Sequence, residues 1–294
     1  LLARGLFHKA ATRFQSAIDR LTHRHPNPVT GEAHYHLGLA LFFQWQRRPA
    51  VGRSCGGPPQ SSLFSSPYSS LSTAAWSCEW RSPAHYLLAC LDCQQADFPA
   101  ALAHLDASLA TNRDHNKAKV LSAVIHRHRR HAEQARLVLT DLLALDPLDH
   151  WALCELGHLD GDHSNFLSLT RNDAQTILDL VFDYADAGFT ADAIALLELH
   201  HAHPVTPVAV PNPASRSPMT RYALAWLEAQ QAAHASNVSR PASRGAEPAS
   251  PRAEGATPSL LPSARCQSPA RFLPSRLHEQ IDLEWALADR RSVV

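Results

Sequence analysis

The chain repeats itself, and that periodicity limits its possible folds more than any other feature. The segment Leu88–Leu105 reads as an amphipathic helix, a short turn at Ala96-Asp97-Phe98, and a second helix begun by Pro99. A proline at a helix start loses only an N–H that has no helical partner. The same layout returns downstream, with Ala123 and Ala135 in the places of Ala89 and Ala101, a period of 34 residues. A period of that size marks helical units that cannot bury their apolar faces alone, so neighbouring units must stack. Leu180, Tyr184, Gly188, Ala193 and Leu197 fill the same slots again. Leu37, Gly38, Leu41 and Ala50 begin an earlier copy, and Gly5, Phe7, Ala10, Phe14 and Ala17 read as the second helix of a unit that starts before residue 1. Small residues at these positions let two antiparallel helices approach closely, and the large apolar residues fill the space between pairs. Pro147 closes a unit where a helix must stop.

Helix-start signals agree with this reading. Ser82-Pro83 and Ser217-Pro218 each resemble an N-cap followed by proline, and Asp149 and Asn172-Asp173 are starts of the same sort. No window alternates as a strand does, so the expected fold class is all-α. Two blocks break the pattern. Between Ser54 and Ser72, eight of nineteen residues are Ser, and 235–270 is rich in Ser, Pro, Ala and Arg without apolar periodicity. Both have the composition of disordered insertions. The expected organisation is therefore repeats over 1–53, an insertion over 54–72, repeats over 73–203, a Pro-rich turn and first helix over 204–234, a linker over 235–270 and a C-terminal helix over 271–294.

Composition excludes several classes. Lys+Arg and Asp+Glu both number 27, which leaves no electrostatic footprint for nucleic acid or an acidic membrane surface. No apolar run has the roughly 18 residues a membrane span needs. Leu1 to Arg20 carries Arg and His at helical spacing, unlike a secretory signal, so a cytoplasmic location is expected. The only Met is Met219, and a chain opening at Leu1 is expected to be a fragment or a processed product. Cys90-x-x-Cys93 stands as one isolated pair and reads as two small apolar helix residues.

These periodic positions resemble the tetratricopeptide-repeat (TPR) family. The resemblance implies a right-handed α-solenoid of about five helix-turn-helix units. Trp76-x-x-x-Trp80-Arg81-Ser82-x-Ala84-His85-Tyr86, Asn116-Lys117-Ala118, Leu145-Asp-Pro-Leu-Asp149, Phe182-Asp-Tyr-Ala-Asp-Ala-Gly188 and Pro274-Ser-Arg-Leu277 are similar to one bacterial and fungal TPR subfamily. There the repeats follow a domain of unknown function that resembles an aldose-mutarotase β-sandwich. The similarity covers 1–50, 73–230 and 271–294. It implies that any sugar-related site lies upstream of Leu1, so no catalytic residue carries over. An alternative role follows, as the accessory C-terminal region of a carbohydrate-active or sugar-binding protein.

Motifs for chemistry are absent from the chain: no G-x-S-x-G, no phosphate-binding G-x-x-x-x-G-K-[ST] and no H-E-x-x-H. Of 19 His, the clusters His126–His131 and His200-His201-x-His203 read as solvated helix faces, without metal-ligand partners. Asp160-Gly-Asp162-His-Ser164 reads as a turn, because Asn165 and Arg171 stand where a calcium loop needs Gly and Glu. Lys117, Lys119, Arg127, Arg129 and Arg130 form the most basic region, which reads as a solvated helix face; the sharper reading makes Lys117, Lys119, Arg127 and Arg130 candidate contacts for an acidic peptide. A chaperone-type carboxylate clamp does not fit, since Leu87 and Leu121 occupy two of its polar positions. Trp76 and Trp80, one helical turn apart, are further candidate partner contacts. The repeat-packing residues are Ala10, Gly38, Ala50, Ala89, Ala101, Ala123, Ala135, Pro147, Tyr184, Gly188 and Ala193. The expected function is a non-enzymatic scaffold that binds a protein, a peptide or an N-terminal domain of the same protein. No cofactor, metal, nucleic acid or membrane is expected.

Overall fold

The computed structural model describes residues 1–24, 30–46, 67–203 and 217–238. Among them the regular elements are twelve α-helices and no strand. They are α1 (Phe7–Arg24), α2 (Glu32–Gln46), α3 (Pro67–Ala74), α4 (Cys78–Gln94), α5 (Phe98–Thr111) and α6 (Asn116–His128). There follow α7 (Ala132–Leu145), α8 (His150–Asp160), α9 (Ser164–Thr170), α10 (Ala174–Asp186), α11 (Thr190–Ala202) and α12 (Pro218–Val238). The helices belong to one unit, Phe7–Ser239, whereas Leu1–Leu6 falls in a second. No helix among the described residues is long and apolar enough to cross a membrane.

One chain reversal recurs with the same hydrogen bonding. The N–H groups of Leu6, Asp97, His131 and Phe189 donate to the carbonyls of Leu1, Asp92, His126 and Tyr184, at 3.0, 2.9, 2.8 and 2.9 Å. Closing such a turn puts the residue before each donor in the left-handed region: Gly5 (φ 69°), Ala96 (59°), Arg130 (63°) and Gly188 (86°). A helix then starts at Phe7, Phe98, Ala132 and Thr190. On its first turn each buries a small residue: Ala10, Ala101, Ala135 or Ala193. The period is visible in the helices themselves, because α5 and α7 are both 14 residues long and begin and end 34 positions apart (98 to 132, 111 to 145).

Packing runs chiefly between sequence neighbours: α1 on α2, α2 on α3, α4 on α5, α6 on α7 and α10 on α11. Ala89 and Ala123 are fully buried beside Leu88, Leu121 and Ile125, and one apolar cluster extends from Phe42 to Leu227. The side chains of Asp97, Asp149 and Asp173 cap α5, α8 and α10 by accepting from the backbone N–H of Ala100, Ala152 and Thr176. Each satisfies a donor that the first helical turn leaves unpaired.

Several expectations need correction. Residues 67–72, expected within an unstructured insertion, are helical: they form most of α3, whose Leu71 is fully buried. Leu71 packs so closely on Gly38 that a Cβ at 38 would stand 2.6 Å from its Cγ. The helix after it starts at Cys78, one turn before Ser82-Pro83. Ser82 is no cap; it is buried, and its carbonyl accepts from the Ser108 hydroxyl at 2.9 Å. Pro83 therefore stands inside α4 and gives up one ladder hydrogen bond. The pair after Pro147 is short, with 11 residues in α8 and 7 in α9, so the 34-residue period does not hold there. Finally, α12 continues to Val238, past the expected boundary at 234. Ala50, residues 54–66, the Pro-rich turn at 204–216, most of the 235–270 linker and the C-terminal helix over 271–294 lie outside the described residues.

Candidate functional site

A pocket of about 280 Å³ opens where α2, α4, α6 and α10 converge. Its apolar wall comes from Tyr35, Phe42 and Phe43 on α2 and from Tyr86, Leu87 and Cys90 on α4. Asp183 and Asp186, one turn apart on α10, and Lys117 and His115 at the start of α6 supply the polar side. His115 is itself the cap of α6, its Nδ1 accepting from the Ala118 N–H at 3.1 Å. The Lys117 ammonium lies 2.6 Å from Asp183 Oδ1. Burial, reinforced by the neighbouring Asp183, pushes the Asp186 carboxyl up to about 7, against the pull of Gln46 and Lys117. Burial also raises Asp183, though the Lys117 ammonium opposes it. The Asp186 backbone is anchored separately, with its carbonyl accepting from Gln94 Nε2 at 2.5 Å and from Gln46 Nε2 at 3.2 Å. The pocket thus pairs aromatic faces with an under-compensated carboxyl.

The basic region falls apart in three dimensions. Arg127, expected on a partner-binding surface, points inward and makes a two-pronged contact with Glu155 (2.8 and 2.9 Å) and another with Asp192 (2.8 and 3.4 Å). Glu155 is fully buried, and its Oε1 also accepts the Tyr184 hydroxyl at 2.5 Å. His128 Nε2 adds a 2.6 Å contact to Asp192. Burial alone would raise Asp192, but the donors on His128 and Arg127 hold it down to about 2. The cluster ties α6, α8, α10 and α11 together and pairs the Arg127 guanidinium with two carboxylates of the chain itself. Lys117 is engaged with Asp183, Lys119 is half-buried on α6, and Arg130 is exposed as the left-handed residue of its turn.

The two tryptophans do not share a helical face. Trp76 lies in the turn between α3 and α4 and is 86% exposed. Trp80 is half-buried on α4, its ring stacked 4.8 Å from Tyr35. Pro147 sits in the turn that follows α7, and Tyr184 is fully buried. The histidine clusters also divide. His200 is buried, with Nδ1 2.8 Å from Asn172 Oδ1, so it is not on a solvated face. Cys90 and Cys93 are buried free thiols, as small apolar helix residues would be, and burial pushes Cys93 up to about 12.

Two constellations escape a reading of the sequence. Between α3, α4 and α5, His85 and His104 face each other through their Nδ1 atoms at 2.9 Å, with Tyr68 Oη 2.9 Å from His104 Nε2. Asp92 Oδ2 lies 3.7 Å from the same Nε2, and burial together with Asp97 pushes Asp92 up to about 6. The second comprises Cys154, His158 and His163, whose ligand atoms lie within 4.8 Å of one another. A Cys-x-x-x-His step on a helix, then a His just past a glycine turn, is the signal that points to it. No family model matches the chain, and no curated protein matches it.

Proposed function

We propose that the chain is a non-enzymatic docking module, a right-handed TPR-like α-solenoid that holds a peptide or a neighbouring domain against its first helices. The recurring reversal at Gly5, Ala96, Arg130 and Gly188 supports the repeat register. The observation that carries the functional reading is the pocket shared by α2, α4, α6 and α10. Its volume suits one or two side chains, and its walls are preformed by packed helices, so little ordering entropy is lost on binding. Its chemistry favours a basic anchor. An incoming Lys or Arg would lie against the aromatic lining of Tyr35, Phe42, Phe43 and Tyr86, with the Asp186 carboxyl as counter-charge. The sign is opposite to the acidic partner expected from the basic run, because Arg127 and Lys117 are already neutralised within the chain.

The test is fluorescence anisotropy with peptide pools centred on Lys, Arg, Glu or Leu. Basic pools should bind, with affinity rising between pH 6 and 8 as Asp186 ionises around pH 7. Asp186→Asn should weaken that binding by about tenfold or more. Preference for the Glu pool, or no retention of any pool, refutes the reading.

A further inference from the structure

We propose that Cys154, His158 and His163 form a site for one zinc-class divalent cation, with water in the fourth position. Cys154 and His158 lie one turn apart on α8, with Sγ 3.8 Å from Nε2. Tetrahedral zinc, with Zn–S about 2.3 Å and Zn–N about 2.0 Å, puts sulfur and nitrogen ligands about 3.5 Å apart. The three ligand atoms, all within 4.8 Å of one another, need only side-chain rotation of about 1 Å to close on a cation.

The backbone is built to bring the third ligand in. Gly161, at φ 72°, ends α8 in the left-handed conformation and turns the chain back. Asp162 then fixes the start of α9, accepting from the Ser164 N–H at 2.8 Å and its hydroxyl at 2.9 Å. That places His163 over Gly157, where a Cβ would stand 2.7 Å from the imidazole Cδ2. Only glycine leaves room for the ring there. The His158 and His163 rings meet edge to face at 4.7 Å. His163 Nε2 is buried with no hydrogen-bond partner, an arrangement that costs free energy unless something occupies that lone pair or proton.

The surroundings complete the case. The Tyr184 hydroxyl gives its one proton to Glu155 and packs 3.7 Å from Cys154 Sγ, so it bounds the sulfur by contact alone. The cation displaces the Cys154 thiol proton on binding, and one proton leaves to solvent per ion bound. The bound ion would clip the seven-residue α9 to α8.

Titration of the reduced, chelator-washed full chain with Co²⁺ tests this. One equivalent should give a sulfur-to-cobalt charge-transfer band and ligand-field bands of tetrahedral strength. Cys154→Ser should abolish the charge-transfer band, and His163→Gln should weaken binding by about tenfold or more. X-ray absorption of the zinc-loaded unaltered chain needs no variant to fold. It should show one sulfur at about 2.3 Å and two imidazole nitrogens at about 2.0 Å. A missing charge-transfer band, one that survives Cys154→Ser, or a zinc shell without sulfur would each overturn the site.

Discussion

Of Gly5, Ala96, Arg130 and Gly188, which carry the reversal before α1, α5, α7 and α11, only two are glycine. A left-handed residue with a Cβ costs about 1–2 kcal/mol, so Ala96 and Arg130 hold their turns against a local penalty. Ala96→Gly should therefore raise stability by about 0.5–1 kcal/mol, net of the extra freedom glycine has in the unfolded chain. Gly188→Ala should do the reverse and more, by about 1–3 kcal/mol, because φ is 86° and the new Cβ would stand 3.0 Å from Gln94 Cα. Urea midpoints of both variants check this; a loss of stability in Ala96→Gly counts against the turn. Gly188 is legible in the sequence because it occupies a slot of the repeat. Arg127 is not. It sits in a basic run that reads as solvated, and its partners Glu155 and Asp192 lie 28 and 65 residues away. Removing one member of such a buried cluster is expensive because it leaves the others charged and unpaired.

At the scale of elements, the equal lengths of α5 and α7 follow from identical punctuation, a left-handed turn before each and a helix stop after. Their contacts are equally strict. Ala135 is fully buried in the first turn of α7, whereas Leu137, two positions on, is 63% exposed. Ala135→Trp should overpack the α6–α7 contact and cost about 3 kcal/mol or more, while Leu137→Trp should leave the thermal midpoint nearly unchanged. Equal melting of the two variants would remove the packing register. The starts of α4 and α3 mark the limit of local signals. Ser82-Pro83 looks like a helix start in register with Asn116, yet α4 runs one turn further back, and Trp80 in that added turn stacks on Tyr35. Likewise α3 forms from a Ser-rich stretch without strong helical signals, because Leu71 has Gly38 to pack against.

At the scale of the molecule, protonation opposes itself. Burial lowers His34, His85, His104, His115 and His126, so each contributes stability that is full above its unfolded value near 6.5 and is lost as pH falls. Asp186 works the other way. Its folded value of about 7 exceeds the unfolded 3.8, so its penalty is full above pH 7 and disappears as pH falls through 7 toward 4. Asp183, Lys117 and His115 share its pocket and set the size of the effect. Asp186→Asn should accordingly melt several degrees above the unaltered chain at pH 8, with the gain shrinking steadily below pH 7 and gone near pH 4. A gain that stays constant between pH 8 and pH 4 means that Asp186 is not the titrating group. The pocket, the Arg127 cluster and the Cys154 triad all join residues far apart in the chain or separated by a turn. The sequence by itself determined the all-helical class, the 34-residue period and the small residues that set helix–helix contact, because each of these depends on local periodicity. Only the tertiary structure decided which charges meet, since a carboxylate and a guanidinium pair by proximity in space, and their spacing in the chain carries no signal of it.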